Sequence, residues 1–355
     1  MTSIRSGQLP PSVNTSDKLH YSQESELSIV VPTHNRAELI DYFLQVHAPI
    51  VEDLRIPLVI VDNASTDSTP EICHKWGRQF DCIYYTRFDT YVEGDESFAR
   101  ALQVPASSYV WLMGDGYEVG SETLRKALDL VRASEGAWDA LIVNLVQLVP
   151  SADLKVYSCR ETALKELAWL MTCMSCNIFS RKLLDSANYE KYYGTNFIHV
   201  GIVFDAISSR DFRLAFAPNI SVASLKCPTF RKQGWGNAFF DISFERWPNF
   251  VMGLSSCNYN LTSRILAIRS FYDNTRLFRW RNILHLRAQG VLRREQIRRY
   301  YPAIQAFAHA RLQRLMSFML LIPPPLAILL RDGVEALRRR SYLLQIKLGL
   351  WREGR

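Results

Sequence analysis

Apolar and polar positions come in alternating blocks over the first 150 residues. Residues 27–31, LSIVV, are a short apolar run rich in β-branched side chains, the pattern of a buried strand. Pro32 has no N–H to give a sheet and is expected to end that strand. Thr33, His34, Asn35 and Arg36 then form a polar turn before AELIDYFLQVH, whose spacing predicts a helix. The block repeats. LVIV at 58–61 reads as a second buried strand, Asp62 and Asn63 stand just past its end, and residues 65–68 form a polar turn. Ser68 or Thr69 caps the following helix, with Pro70 in its first turn. Further strands are expected over 82–88 (CIYYTRF), 108–114 (SYVWLMG, ending at Asp115) and 139–149. Helices are expected over 97–102 and 121–134. The alternation predicts an α/β fold, an open, mostly parallel sheet with helices on both faces. Ligands of such sheets gather beyond the carboxyl ends of the strands. The polar loops after the first, second and fourth strands all fall on that edge.

The pattern changes after residue 150. Residues 161–179 read as a helix entering a strand-like NIFS, and the loop YEKYYGTNFIHVG leads to a helical IVFDAISS. Residues 212–223 read as strands, and from about residue 261 the pattern is helical. The expected organisation is a leader over 1–25, an α/β body in two parts (26–150 and 151–258), and a helical region over 259–355. The leader is polar and Ser-rich with no apolar core, so it reads as disordered and not as a signal peptide.

Charge sharpens the division. The 355 residues carry a net charge of +7, yet residues 260–355 hold 19 Lys and Arg against 5 Asp and Glu, and 18 of the 19 are arginine. The preceding part is therefore net acidic, and the C-terminal region is suited to an anionic surface. With 48% apolar residues a sizeable core is available. The seven cysteines are scattered; Cys173 and Cys176 form a single C-x-x-C without the second half of a zinc site, so reduced core cysteines and a cytosolic compartment are expected.

Three features converge on nucleotide binding: the turn 32–36, the turn 62–67, and Asp115 between Gly114 and Gly116. An aspartate at position 62 suits a base imide or ribose hydroxyl, and a carboxylate at 115 suits a divalent cation on a diphosphate. VVPTHNR, VDNASTDST and WLMGDGYEV resemble the three sequential motifs of family 2 glycosyltransferases, over roughly residues 25–225. Within that family the likeness is to the abequosyltransferase-like branch of O-antigen and capsule enzymes. The resemblance implies a GT-A fold, a Rossmann-like sheet that binds a nucleotide-diphospho-sugar. Residues 26–150 would be its nucleotide-sugar-binding half and 151–258 its acceptor-binding half.

The resemblance also implies roles. Pro32, Thr33 and Arg36 would flank base and ribose. Asp62 would contact the base, and Asn63 and Ser65 would shape its loop. Gly94 and Arg100 match the segment under the sugar-diphosphate, and Asp115 matches the first position of an Asp-x-Asp motif. The second motif aspartate falls on Tyr117, with Glu118 one residue late. Mg²⁺ or Mn²⁺ would then be held by Asp115 with Glu118 or His199, or the diphosphate would be held by arginine instead. The base that takes the acceptor proton is expected near residues 196–201, where His199 is the nearest titratable group; Asp205 lies further along. His199 also reads as a packed histidine, and Asp205 as a solvated or ion-paired helix residue. Asp89 is a candidate wall of the base pocket, Asp67 a stabiliser of its own turn, and Asp95 lies near the same edge. Arg231, Lys232, Gln233 and Trp235 loosely resemble a Gln-x-x-Arg-Trp motif and read equally as a closing loop or as aromatic packing.

LMSFMLLIPPPLAILL, residues 315–330, is apolar but broken by three prolines, and Arg311, Arg314, Arg331 and Arg338 to Arg340 flank it. The segment does not read as a spanning helix; it reads as two short angled helices dipping into one leaflet, or as a helical hairpin packed on the body or on a second subunit. The expected partners are a nucleotide-sugar donor, a polyprenyl-diphosphate-linked oligosaccharide acceptor and the cytoplasmic face of the inner membrane. Nothing resembles a base-reading nucleic-acid module. The alternative to an enzyme is a catalytically degenerate nucleotide-sugar-binding or assembly protein, given Gly116 and Tyr117.

Overall fold

The structure, a computed structural model, describes residues 25–151, 153–228 and 235–347. The expected leader over 1–25 lies outside the described residues except for Ser25, and Arg231, Lys232 and Gln233 lie outside them too. The described chain divides into two compact units, 25–158 with 171–228 and 159–170 with 235–347.

The first unit is built on a nine-stranded mixed sheet: β1 (Leu27–Thr33), β2 (Leu58–Asp62), β3 (Ile83–Arg87), β4 (Tyr109–Leu112), β5 (Tyr117–Glu118), β6 (Ala140–Leu145), β7 (Lys155–Tyr157), β8 (Asn177–Ser180) and β9 (Leu214–Ser224). The order is β3-β2-β1-β4-β8-β6-β9-β5, with β7 also on β9. The β3-β2-β1-β4 portion is parallel, whereas β8 runs antiparallel to both β4 and β6. Every residue of β1, β2 and β4 is buried, as expected of parallel strands covered on both faces.

Pro32 does not end β1. Ile29 N–H donates to the Pro57 carbonyl beside β2, so by alternation position 32 faces β4. Pairing with β4 stops at Val30 opposite Leu112, so the missing N–H falls where no partner strand needs it. The two-residue β5 and three-residue β7 exist only through their pairing with β9.

The covering helices are α1 (Ala37–Leu54), α2 (Thr69–Gln79), α3 (Gly94–Gln103) and α4 (Ser121–Ala133). α1 buries Leu39, Ile40, Phe43, Leu44, His47, Ala48 and Val51, one face at helical spacing, and closes on Arg55 in the left-handed conformation. α5 (Arg160–Met171) belongs almost wholly to the second unit; α6 (Arg181–Asp185) and α7 (Ile198–Ala206) belong to the first. Cys173 precedes and Cys176 ends a 3₁₀ turn over Met174–Cys176 that leads into β8, and neither is in a disulfide.

In the second unit α8 (Phe239–Asp241) passes through a π-helical turn (Ile242–Arg246) into α9 (Trp247–Met252). Trp235 stacks 6.2 Å from Phe271, and Phe244 stacks 5.2 Å from Tyr272, whose hydroxyl donates to the Ser243 carbonyl at 2.9 Å. The aromatic run after residue 235 is therefore packing. α10 (Leu261–Asn274), α11 (Trp280–Ala288), α12 (Arg294–Arg299), α13 (Tyr301–Phe307), α14 (Ala310–Leu321) and α15 (Pro324–Lys347) follow. α14 and α15 meet at 113° across the prolines. No single helix among the described residues is long and apolar enough to cross a membrane.

Candidate functional site

The parallel strands β1, β2 and β4 point their carboxyl ends at one edge, where residues 33–36, 62–67 and 113–116 leave the sheet. The first two loops are stitched together. Asn35 and Ala64 both take left-handed backbone, at φ 50° and 57°. Asn35 N–H donates to the Ser65 hydroxyl at 2.8 Å, and its Oδ1 accepts the Thr66 N–H at 2.7 Å. Asp67 accepts the Ala37 and Thr69 N–H groups, each at 3.0 Å, and so fastens the starts of α1 and α2. It stabilises its turn, as its sequence suggests.

Asp62 is fully buried. Its Oδ1 accepts the Ser65 N–H at 2.9 Å and the Ser65 hydroxyl; its Oδ2 accepts the Tyr85 hydroxyl at 2.8 Å, with Arg87 Nε 3.5 Å away. Burial and the Asp62 bond push the Tyr85 phenol above its ordinary value, which keeps it a donor. Asp62 thus holds the loop in shape, and Asn63 and Ser65 beside it are buried as well. Asn63 clamps Val92 with two bonds of 2.8 and 2.9 Å. His34 Nδ1 meets the Asn63 carbonyl at 2.7 Å and is therefore its donor.

The third loop closes on the first. Asp115, 5% exposed, accepts the Thr33 hydroxyl at 3.0 Å on Oδ2 and Arg36 Nη1 at 2.8 Å on Oδ1. The Arg36 side chain keeps 46% of its surface in solvent. At Gly114 a Cβ would lie 3.2 Å from the Tyr117 ring. The Tyr117 hydroxyl bonds Cys173, and that sulfur together with burial pushes the phenol well above its ordinary value.

Mg²⁺ and Mn²⁺ ask for oxygen ligands in a near-octahedral shell. Here both Asp115 oxygens accept bonds, one of them from a guanidinium, and Tyr117 is turned to Cys173. Glu118 lies in β5, paired with Ala223, and no group of three His, Cys, Asp or Glu gathers anywhere among the described residues. These residues do not fit a divalent-metal site, which corrects the expectation of Asp115 and Glu118 as ligands.

Residues 28–185 match the model of Glycosyl transferase family 2. Those residues form a family 2 glycosyl transferase domain. The family 2 domain runs from β1 to the end of α6 and contains all three loops. The chain is also 26% identical over 192 residues to abequosyltransferase RfbV of Salmonella typhimurium, which is 52% of this chain and 51% of that protein. It thus spans about half the length of the curated relative it matches. Among solved structures, mannosyltransferase PcManGT from Pyrobaculum calidifontis in complex with GDP-Man and Mn²⁺ superposes with a TM-score of 0.50 at 15% identity, over 88% of this chain and 87% of that one. S. aureus TarS 1-349 in complex with UDP-GlcNAc gives 0.49 at 14% identity, over 88% and 92%. The likeness to PcManGT gives the sheet a GT-A-type fold, and a helical region follows it in the chain.

The segment 194–201 lies beyond the matched family 2 domain. Asp95, in the first turn of α3, accepts the Asn196 N–H at 2.7 Å and also faces the N–H groups of Gly194, Thr195 and Ile198. Burial raises its carboxyl above the ordinary value against those four bonds. Asn196 is held at φ 67°. His199 is 3% exposed, with Nε2 3.3 Å from the Thr172 carbonyl and Phe98 edge-on at 6.4 Å. Burial lowers its imidazole to about 4. Asp205 is ion-paired with Lys191. In this structure His199 is a neutral packed side chain and Asp205 an ion-pair member.

Asp89 is exposed just past β3, and Gly94 opens α3 in free space. Arg100 pairs with Glu96 and covers the Phe88 ring at 5.5 Å, so its charge is partly spent. Sequence reading missed His47. Its Nδ1 donates to the Phe43 carbonyl at 2.8 Å and its Nε2 accepts the Val119 N–H at 3.2 Å, tying α1 to the residue after β5. The only local signal was its place on the buried face of α1. Tyr85 and Arg87 were missed as partners of Asp62; alternation along β3 puts 85 and 87 on one face.

Proposed function

We propose that the chain is a glycosyltransferase that moves a sugar from a nucleotide-diphospho-sugar to an acceptor hydroxyl. The observation that carries this reading is the meeting of Thr33, Arg36 and Asp115 at the carboxyl edge, beside the 62–65 loop, inside the family 2 domain. In this reading Pro32, Thr33 and Arg36 flank the nucleoside, Asn63 and Ser65 present the base pocket that Asp62 shapes, and Asp89 stands at its rim. Gly94 and Arg100 lie under the sugar-diphosphate. His199 and Asp205 are not proposed as the base. The likeness to an abequosyltransferase supports a deoxyhexosyl or hexosyl donor and an oligosaccharide acceptor in surface polysaccharide synthesis, of O-antigen type. The test is nucleotide release from UDP-, GDP-, CDP- and dTDP-sugars in the presence of a bacterial membrane lipid extract. Release from one donor supports the proposal; no release and no nucleotide binding across the panel refutes it.

The acceptor in this proposal is polyprenyl-diphosphate-linked, and the protein docks peripherally on the cytoplasmic face of the inner membrane. Support comes from the α14–α15 elbow. Its two helices bury Leu312, Met316, Met319 and Ala327, while Phe318, Leu321 and Leu329 are 60, 72 and 69% exposed. Arg287 fastens the elbow, donating to the carbonyls of Ile322 at 2.8 Å and Leu292 at 3.0 Å. Each exposed side chain, moved into acyl chains, is worth roughly 1.5–3 kcal/mol. Arg311 and Arg314 beside it suit anionic headgroups. Flotation with vesicles containing about 30% phosphatidylglycerol is expected for the wild type and lost in Leu321→Glu/Leu329→Glu. Flotation unchanged by that pair of substitutions removes the elbow as the anchor.

A further inference from the structure

We propose that the donor diphosphate is held and neutralised by basic side chains, Arg36 and Lys226 first, and that donor binding needs no divalent metal. This rests on the nucleotide-sugar reading above and specifies how that site meets its phosphates.

The negative charge of a nucleoside diphosphate must be matched wherever it binds. A metal does this when carboxylates present it; guanidinium and ammonium groups do it directly, with charge-assisted bonds. At the end of β4 the groups are arranged for the second solution. Asp115 is bonded to Arg36: the 2.8 Å bond orients the guanidinium, and 46% of the Arg36 side-chain surface is in solvent. A dication arriving at Asp115 meets a cation already on one carboxylate oxygen and a hydroxyl on the other. It would have to displace the guanidinium or sit beside it against like-charge repulsion. The neighbouring position where a second carboxylate would help is Tyr117, which gives its oxygen to Cys173.

The pairing of β5 with β9 supplies the other cation. Tyr117 lies opposite Ser224 and Glu118 opposite Ala223, and Leu225 N–H donates to the Gly116 carbonyl at 2.9 Å. Asp115 and Gly116 form a turn closed by the Tyr117 N–H on the Gly114 carbonyl at 3.0 Å, and Lys226, exposed, is the residue after Leu225, just past the end of the strand beside that turn. Glu118 on β5 and Cys227 after Lys226 are not gathered with Asp115 into a ligand set, since no group of three His, Cys, Asp or Glu occurs among the described residues.

The experiment is calorimetric titration of the full-length chain with UDP, GDP, CDP and dTDP, in about 5 mM EDTA and again with about 5 mM Mg²⁺ or Mn²⁺. The nucleotide that binds is expected to do so within about twofold in all three buffers. In EDTA, Arg36→Ala weakens it at least about tenfold, Arg36→Lys retains part of the affinity, and Lys226→Ala weakens it about three- to tenfold. Both positions are solvent-facing, so the variants are expected to fold, and far-UV circular dichroism checks this. Affinity that collapses in EDTA and returns with Mn²⁺ overturns the proposal and leaves the glycosyltransferase reading standing. Full affinity in both alanine variants also overturns it. A chain that binds none of the four nucleotides in any buffer overturns both.

Discussion

His47 offers a quantitative link between acidity and stability. It is 1% exposed on α1, and its two nitrogens have fixed and opposite duties: Nδ1–H donates to Phe43, and Nε2 accepts from Val119. Burial lowers its imidazole from 6.5 to about 4, the Phe43 bond acting weakly the other way. A histidine whose folded value is depressed contributes nothing extra above the unfolded value; as pH falls below 6.5 the unfolded chain takes up a proton that the folded chain refuses. At about pH 5.5 roughly nine-tenths of unfolded imidazoles are charged and few folded ones are, a linkage loss of about 1.4 kcal/mol. The loss levels off near 3 kcal/mol once pH passes below about 4. Urea denaturation of wild type and His47→Gln at about pH 7.5 and 5.5 isolates this contribution, because glutamine keeps a donor and an acceptor but does not titrate. The wild type is expected to lose about 1.4 kcal/mol more than the variant over that interval. Equal losses in the two proteins would refute the assignment of His47 as a buried neutral clasp. His199, also at about 4, contributes to both proteins alike and cancels in the comparison.

Other substitutions probe the loops directly. Asp62→Asn puts an NH₂ where the Tyr85 hydroxyl or Ser65 now donates, so a loss of about 1–3 kcal/mol in urea denaturation and at least tenfold in nucleotide affinity is expected. Asp67→Ala removes acceptors from the first N–H groups of α1 and α2 and is expected to destabilise by about 1 kcal/mol in the same assay. Gly201→Ala drives a Cβ into the Tyr192 ring, and thermal denaturation should register a loss of about 1–3 kcal/mol, relieved when Tyr192 is shortened to leucine. Asp205→Asn breaks one ion pair with Lys191 and is expected to leave turnover within about twofold; a drop of a hundredfold or more would return Asp205 to the catalytic machinery.

The donor half of the fold is legible because its signals are local. A parallel strand buried on both faces is a continuous apolar run, and the polar residues that end it are the loop, so 27–33, 58–62 and 109–115 announce both sheet and site. What failed to show depends on distant partners. β5 and β7 have too few residues to carry a period and are strands only because β9 lies beside them. Pro32 argued against strand until the end of β4 was known. His199 looked chemical by type, yet IHVGIVF is apolar all round, the mark of a helix buried on every side. Asp205 and Lys191 are fourteen residues apart, a spacing no helical rule connects. The Arg36–Asp115 bond joins residues 79 apart and is visible only once β1 and β4 are neighbours.

The carboxylate of Asp95 bears on how this protein can be re-engineered. Four backbone N–H groups between Gly194 and Ile198 converge on one side chain that is about a hundred residues earlier in the chain. The 194–198 loop and the first turn of α3 are therefore a single unit of exchange. A chimera that grafts the loop from a relative without its own residue at position 95 strands those donors without an acceptor, whatever the merit of the grafted side chains. Transplanting α3 and the loop together keeps the set intact, and a loop of altered length would need its counterpart on α3 redesigned at the same time.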